Sequence, residues 1–595
     1  MTENKKLSGQ ESIKFDSNYL MGSLKEELAD QSTDQISDAA YELMKFHGSY
    51  FGYDRDTATE RKKSGLDKKY EFMVRTRIPG GRLNAAQYLA MDDIAGKYAN
   101  GTLRITTRQV FQFHVIVKKD IKAHIAAINH AMLSTQSGCG DVTRNITCSP
   151  APIKNARYAR LWSDVERVAE FVKPKSTSYR ELWLDEEKDE VRERSVKVAG
   201  ADDAVEPLYG ATYMARKFKI GLALPEDNSI DVFTHDLGIV LVFEGDVLRG
   251  YNILMGGGMG MKHEAAANWA DKKTYPRLAD PIAFVGADDL IPAVEAVVKL
   301  TRDFADRTDR QHARLKYVVA ERGVEWTRKT FEEYFAKAGG GKVSDPAPVA
   351  KYEIPTHMGW HAQGDGKFFL GLKIPSGRIV DYDMPDVSGY TRNVTDIFKT
   401  ARYRTGLRAV VERFKPNIIL TPTGEMMLAD IAESDKAGIE ATLTEYGIPL
   451  DNAYTPMQNH FFTCVALPTC AKALAESERV QFPVMDGITA ALAEHGLEKE
   501  RMTIRIAGCP NGCSRPYVGD IGLVGRMPGA YALFVGGDFE GTRLSTKILD
   551  KVMEAEIPKV LSPMFALYAK EKRKGEGFGD FAHRIGVEKL VGAVV

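Results

Sequence analysis

Apolar and polar residues alternate over 70–79, and the alternation predicts a strand that Pro79-Gly80-Gly81 brings to an end. A period of two puts Arg75 and Arg77 on one face of it. A helical stretch is expected over 84–98. Alternation resumes over 103–115, with Arg104, Thr106, Arg108, Gln112 and His114 on one face and Leu103, Ile105, Phe111, Phe113 and Val115 on the other. A half-buried sheet with a solvated polar face gives such a pattern. Arginines on neighbouring strands also make an anion platform.

The pattern then returns. Residues 368–379 parallel 72–83, and 418–428 parallel the stretch from Leu103, an internal repeat offset by roughly 300 residues. Gly371 and Lys373 stand in the second copy where Arg75 and Arg77 stand in the first. One copy is therefore expected to be functional and the other structural, about a pseudo-two-fold axis. Residues 251–260 and 531–537 are likewise similar, each a strand running into glycines that allow a ligand close to the backbone. Neither fits a dinucleotide fingerprint, and no Walker A sequence is present, so the chain is expected to lack its own nicotinamide site.

Elsewhere the patterns are less regular. Residues 1–67 are polar, with one amphipathic run over 38–46, and read as a surface-wrapping arm in which His47 is structural. Residues 184–207 are highly charged and read as an exposed excursion. A strand running to Leu224 places Lys217 and Lys219 on one face and Phe218 and Ile220 on the other. Two such lysines are either solvated or share an anion. Residues 288–338 read as helical, and the glycines and prolines of 339–348 as a linker.

Composition narrows the class. The 595 residues exceed one core and predict about three or four domains. Hydrophobic content of 44% and charged content of 27% are those of an ordinary globular protein. A net charge of −1 gives no general attraction to nucleic acid or anionic membrane. No apolar run is long enough to span a bilayer, and the N-terminus lacks the apolar core of a secretory signal. A cytoplasmic location is expected, where thiols stay reduced.

The candidate chemistry lies in two cysteine pairs. Five residues separate Cys464 from Cys470, and 38 separate Cys470 from Cys509-Pro-Asn-Gly-Cys513. The second pair follows a predicted strand, 503–506, and its glycines and proline force an irregular turn whose N–H groups can point at sulfur. Four thiolates from two loops can cage a metal or a cluster. Buried small hydrophobes, disulfides and zinc are the competing readings. The Gly and Pro neighbours, the reducing compartment and the five-residue gap each weigh toward an iron–sulfur cluster.

This cysteine arrangement resembles that of the siroheme- and 4Fe–4S-containing sulfite and nitrite reductases, and the resemblance extends over nearly the whole chain. It implies that Cys464, Cys470, Cys509 and Cys513 hold one cubane and that Cys513 also bridges it to the siroheme iron. It implies that Arg75, Arg144, Lys217 and Lys219 hold the oxyanion, the Lys-x-Lys pair being the form of the sulfite enzymes. Arg104, Arg108, Gln112, His114, Arg310, Arg314, Lys316 and Asn511 are the candidate siroheme neighbours, while Cys139 and Cys148 are non-ligand thiols. The implied activity is six-electron reduction of sulfite to sulfide in an assimilatory sulfite reductase hemoprotein. Electrons would come from a flavoprotein subunit using NADPH or from ferredoxin, and nitrite reduction to ammonia is the alternative.

The fold expected is α+β, a pseudo-symmetric pair of ferredoxin-like repeats with two larger mixed α/β cofactor-binding domains. The divisions are an arm over 1–67, repeat 1 over 68–145, a siroheme and substrate domain over 146–338, a linker over 339–350, repeat 2 over 351–435, and a cluster and siroheme domain over 436–595.

Overall fold

A computed structural model describes residues 6–184, 205–263, 273–385 and 387–594. The first ferredoxin-like half contributes β1 (Ser49–Tyr53), β2 (Tyr70–Arg75), β3 (Arg82–Leu83), β4 (Leu103–Ile105) and β5 (Phe111–Ile116). The helices Ala85–Tyr98 and Ile121–His130 belong to the same half. The first of them starts at a capping box, Asn84 accepting from the Gln87 amide at 2.8 Å while the Gln87 side chain accepts from the Asn84 amide at 3.1 Å. The next sheet is built from β6 (Thr147–Cys148), β7 (Ile220–Ala223), β8 (Leu237–Glu244), β9 (Val247–Met255), β10 (Asp280–Gly286) and β11 (Val343–Ser344). The second ferredoxin-like half follows, with β12 (Gly359–Ala362), β13 (Phe368–Leu372), β14 (Arg378–Ile379), β15 (Asn417–Leu420) and β16 (Met426–Ile431). The last sheet is built from β17 (Phe461–Thr463), β18 (Ile504–Ala507), β19 (Ile521–Met527), β20 (Ala530–Val535) and β21 (Thr546–Met553).

The repeat seen in the sequence is a strand exchange. One sheet runs β1-β2-β5-β4-β14 and its counterpart β12-β13-β16-β15-β3, so each half lends the other its edge strand. The turn before the lent strand is the same in both, with left-handed Gly80 (φ 61°) in one and Ser376 (φ 50°) in the other. The halves are also joined by buried Asp92, which takes Arg404 at 2.6 Å and Arg408 at 2.8 Å from the facing helix.

Three local departures from simple alternation have physical causes. Residues 103–115 are a hairpin, with Arg108 in a turn that passes through left-handed Gln109 (φ 55°). A bulge at left-handed Val115 (φ 62°) gives the buried position to Ile116, and Asp430 (φ 62°) repeats it in the second half. Strand β2 ends at Arg75, so Arg77 leaves its neighbour's face and donates to the Ala169 carbonyl at 2.5 Å.

The two larger sheets share a topology as well. In each, a strand, a helical crossover and a parallel strand are followed by a second parallel strand and an antiparallel hairpin, β6-β7-β8-β9 in one and β17-β18-β19-β20 in the other. The crossovers include Ala156–Phe171 and Gln481–Glu494. The predicted linker is not free chain, because β11 within it pairs with β10. The helical region before it is three helices, Leu290–Phe304, Leu315–Arg322 and Val324–Lys337. Of the charged excursion, 185–204 lie outside the described residues, while Glu206 is buried and accepts from the Lys175 and Ser176 amides. His47 of the arm is structural: Trp183 donates to its Nδ1 at 2.9 Å, and its Nε2 reaches the Leu20 carbonyl at 3.0 Å.

The two larger sheets meet at one carboxylate. Asp231, before β8, takes Arg505 of β18 at 2.6 Å and Arg515 through a short contact, all three fully or almost fully buried. Asp231 holds a left-handed backbone (φ 50°), which Asn tolerates. Asp231→Asn therefore tests the charge with the shape kept. It leaves two buried guanidiniums uncompensated, and we expect a loss of about 3–5 kcal/mol, read as a lower urea midpoint. An unchanged midpoint would remove this pair from the joint.

Candidate active site

The cysteines stand at the C-terminal ends of neighbouring parallel strands. Cys464 directly follows β17 and Cys509 comes two residues after β18. Gly508 joins their loops: its amide donates to the Cys464 sulfur at 3.2 Å, and its carbonyl accepts from Leu474 at 2.8 Å and Ala475 at 3.0 Å. A Cβ there would lie 2.5 Å from that of Ala466 and 2.7 Å from the Ala475 carbonyl oxygen, so the close approach requires glycine. The Lys472 and Ala473 amides point at Cys470, and the Asn511 amide and side chain (3.5 Å) at Cys509. Cys513 is the exposed member of the four.

This donor set fits a multi-iron cluster better than one ion. A zinc ion with bonds near 2.3 Å draws four sulfurs to within roughly 4 Å of one another. Among the described residues no three His, Cys, Asp or Glu side chains converge that way. The thiols nevertheless feel each other. Burial first, then Cys513, raises Cys464 to about 12, and the same causes raise Cys470 and Cys509. Four thiolates are thus disfavoured until a cationic centre compensates them.

Cationic side chains converge on the open side of this loop. Lys217 and Lys219 precede β7, and both sense Cys513. Burial, then Arg314 and Arg216, lowers Lys217 to about 8; burial, then Lys217 and Arg314, holds Lys219 well below the usual lysine range. Arg144, in the loop before β6, donates to the Gly140 carbonyl at 2.9 Å and bonds the Tyr50 phenol. Burial opposes its charge, but Tyr50, Cys139 and Asp141 raise its pKa overall. Burial, then Arg144 and Arg515, lowers Arg108 to about 9, although it donates to the Ile220 and Asn145 carbonyls. Neighbouring Thr107 donates to the Cys513 carbonyl at 3.1 Å, which sets the Arg108 turn against the cysteine loop.

None of Arg75, Arg108, Arg144, Lys217 and Lys219 has an ion-pair carboxylate among the described residues. The Nε atoms of Arg75 and Arg108 are buried without a partner. Arg108 and Arg144 are buried and the other three partly so; cations without a counter-charge are costly there, so the geometry is that of a site for anions. A small oxyanion and a cofactor rich in carboxylates both meet that requirement.

The remaining sequence candidates have protein partners. Register places Arg75, Gln112, Arg104 and Arg378 in one row across β2, β5, β4 and β14. Arg104 pairs with Glu478 at 3.2 Å and donates to the Thr463 carbonyl at 3.0 Å, beside Cys464. His114 faces Arg378 at 3.2 Å, and Gln112 lies against the Met73 sulfur at 3.4 Å. Arg310 is held by Asp141 at 2.7 Å and Arg314 by Asp236 at 2.6 Å. The Lys316 ammonium is taken up by backbone carbonyls, Gly260 at 2.7 Å among them. That loop is pinned to the cysteine loop, since the Met261 amide donates to the Pro510 carbonyl at 3.0 Å. Cys139 and Cys148 are buried apart from the four. Sequence patterns missed Tyr50, Asp231, Asp236, His235, Glu478, Arg505 and Arg515. Only Arg505 carried a signal, a charge inside an apolar strand.

Known proteins resemble this chain. The family model described as "Nitrite and sulphite reductase 4Fe-4S domain" matches residues 139–338 and 461–595, and "Nitrite/Sulfite reductase ferredoxin-like half domain" matches 65–131. A "Sulfite reductase [NADPH] hemoprotein beta-component" of Myxococcus xanthus is 41% identical over 98% of this chain and 97% of its own. One of Methylobacterium nodulans is 40% identical over 98% and 91%. The solved structure of Mycobacterium tuberculosis NirA protein superposes with a TM-score of 0.76 over 99% of this chain and 98% of that one, at 20% identity, and so shares the fold.

The geometry predicts that Gly508→Ala and Cys464→Ser each lower iron and acid-labile sulfide per chain, while Cys148→Ser leaves both unchanged. Iron and sulfide analysis checks this; full loading of Gly508→Ala would mean that the close approach at Gly508 is not needed to hold the cluster.

Proposed function

The chain belongs to the nitrite and sulphite reductase family, and from that premise we propose that it is an assimilatory sulfite reductase hemoprotein, reducing sulfite to sulfide. The observation that carries the choice of substrate is the pair Lys217 and Lys219, two cations without carboxylate partners on the side of Cys513. When bound, the siroheme and the 4Fe–4S cluster supply the iron that meets substrate sulfur and the path for single electrons.

The chain's own residues do the rest. Cys464, Cys470, Cys509 and Cys513 would hold the cluster, Cys513 being the exposed one of the four. Arg108, with its buried unpartnered Nε, would bind a carboxylate of the macrocycle. Arg75, Arg144, Lys217 and Lys219 neutralise the sulfite dianion. Sulfite, six electrons and seven protons give hydrogen sulfide anion and three waters, so each departing oxygen needs protons. Lys217, with a pKa lowered to about 8, is suited to giving one near neutrality. The lysine Nζ then recovers its proton from solvent.

The donor is a flavoprotein subunit using NADPH. This reading rests on the bracketed NADPH in the relatives' names and on the missing nicotinamide motif in this chain. Among the described residues no helix is long and apolar enough to cross a membrane. Thiolate ligation of a cluster suits the reducing cytoplasm.

The test is anaerobic turnover with a reduced dye, which must consume six reducing equivalents per sulfide formed; no sulfite-dependent oxidation would end the reading. Lys219→Asn is expected to shift the ratio of kcat/KM values from sulfite toward nitrite, and an unchanged ratio would remove Lys219 from the choice. The alkaline limb of kcat/KM carries the third expectation. Lys217 binds the dianion when protonated, so activity falls as pH rises through its pKa of about 8, or higher where cofactor carboxylates raise it. Lys217→Arg should remove that limb from the profile.

A further inference from the structure

The N-terminal arm contains a charge that the function above does not use. Lys14, on the helix Gly9–Phe15, is 2% exposed, and its partner Glu11 is 3% exposed. A lysine is almost never buried this far unless it is paired, and a helix that merely packed would carry an apolar residue there. Lys14 bonds Glu11 at 2.5 Å and donates to the Met214 carbonyl at 2.8 Å. Arg307 completes the knot: it pairs with Glu11, donates to the Tyr213 carbonyl at 2.7 Å, and its own carbonyl accepts from Ser8 at 3.0 Å.

The backbone held in this way leads directly into Lys217 and Lys219. Met214 donates to the Asp141 carbonyl at 3.0 Å and Phe218 to that of Val142 at 3.1 Å, and Arg144 donates back to Phe218 at 2.9 Å. The two segments that carry Arg144 and the lysine pair are thus bonded side by side. The arm grips the other end of the Arg144 loop too. Ser137 donates to the Phe46 carbonyl at 2.8 Å, Thr135 Oγ1 to the His47 carbonyl at 2.7 Å, and Arg75 to the Gly48 carbonyl at 2.9 Å.

We propose that the arm is part of the oxyanion pocket, and that Lys14 and Glu11 are positioning residues that fix the 213–219 segment so that Lys217 and Lys219 face the substrate. The inference rests on the sulfite reading for its substrate and on the hydrogen bonds and ion pairs of the arm for its geometry.

Lys14→Met and Glu11→Gln in the full chain test it. Hydrogen exchange should accelerate in peptides covering 141–144 and 213–219 and stay unchanged over 504–513. kcat/KM for sulfite should fall about tenfold, with KM raised, because the segment that carries the anion-binding lysines is no longer held in place. Exchange that is unchanged, or faster everywhere, would overturn the proposal, as would local loosening with KM unaltered. Should Lys14→Met fail to accumulate as folded protein, Glu11→Gln, which keeps the Met214 bond but weakens the pair, is read by the same criteria. If the chain turns over no sulfite, the function assigned above fails, while the exchange comparison still decides whether the arm holds the segment.

Discussion

Positive charge left without a carboxylate ion partner is the condition on which the structure around Cys513 depends. Arg75, Arg108, Arg144, Lys217 and Lys219 converge with no carboxylate ion partner among the described residues. Such a group of side chains repels itself and is costly to desolvate. It persists because its backbone is fixed from outside: by Asp141 on Arg310 and Arg216, by Asp236 on Arg314 and the Lys219 amide, and by Asp231 on Arg505 and Arg515. The carboxylates of this region are used up in holding scaffold cations, and the cations nearest Cys513 are left for ligands.

The same charge balance separates a cation that is open to a ligand from the cations of the scaffold. Arg104, Arg310, Arg314 and Lys316 looked equivalent to Arg108 in the sequence, as basic residues near predicted strands. The structure gives the first three a carboxylate and Lys316 a set of carbonyls. Arg108 has neutral partners and an unpartnered Nε. Which arginine is free depends on Glu478 and Asp236, which lie 374 and 78 residues from the arginines they bind. No local pattern carries that information.

What could be read from the sequence was what is local or duplicated. The cysteine spacing lies within 50 residues, and the strand, glycine and strand order of the two repeats survives as comparable strings. The polar face of 103–115 was legible as alternation, although the turn at Gln109 and the bulge at Val115 were not, because both rest on left-handed residues that carry no Gly signal. The arm read as a polar wrap. The buried Lys14 looks like any surface lysine until the Met214 carbonyl, 200 residues away, is placed beside it.

The duplication also explains why only one half holds the charged row. Arg75, Gln112, Arg104 and Arg378 lie in line across the first sheet; Gly371, Met427, Ile419 and Arg82 lie in line across the second. A polar row on a buried face is tolerable only where counter-charge or ligand meets it. In the second copy neither is required, because the chain itself fills the place. A Cβ on Gly371 would lie 1.6 Å from the His357 carbonyl oxygen, so the backbone before β12 occupies the space that the Arg75 side chain needs in the first copy. A charge restored at 371 would therefore collide with main chain. The pseudo-symmetric frame builds two similar sheet faces, and the path of the chain over one of them leaves the other as the sole face on which a charged row can serve.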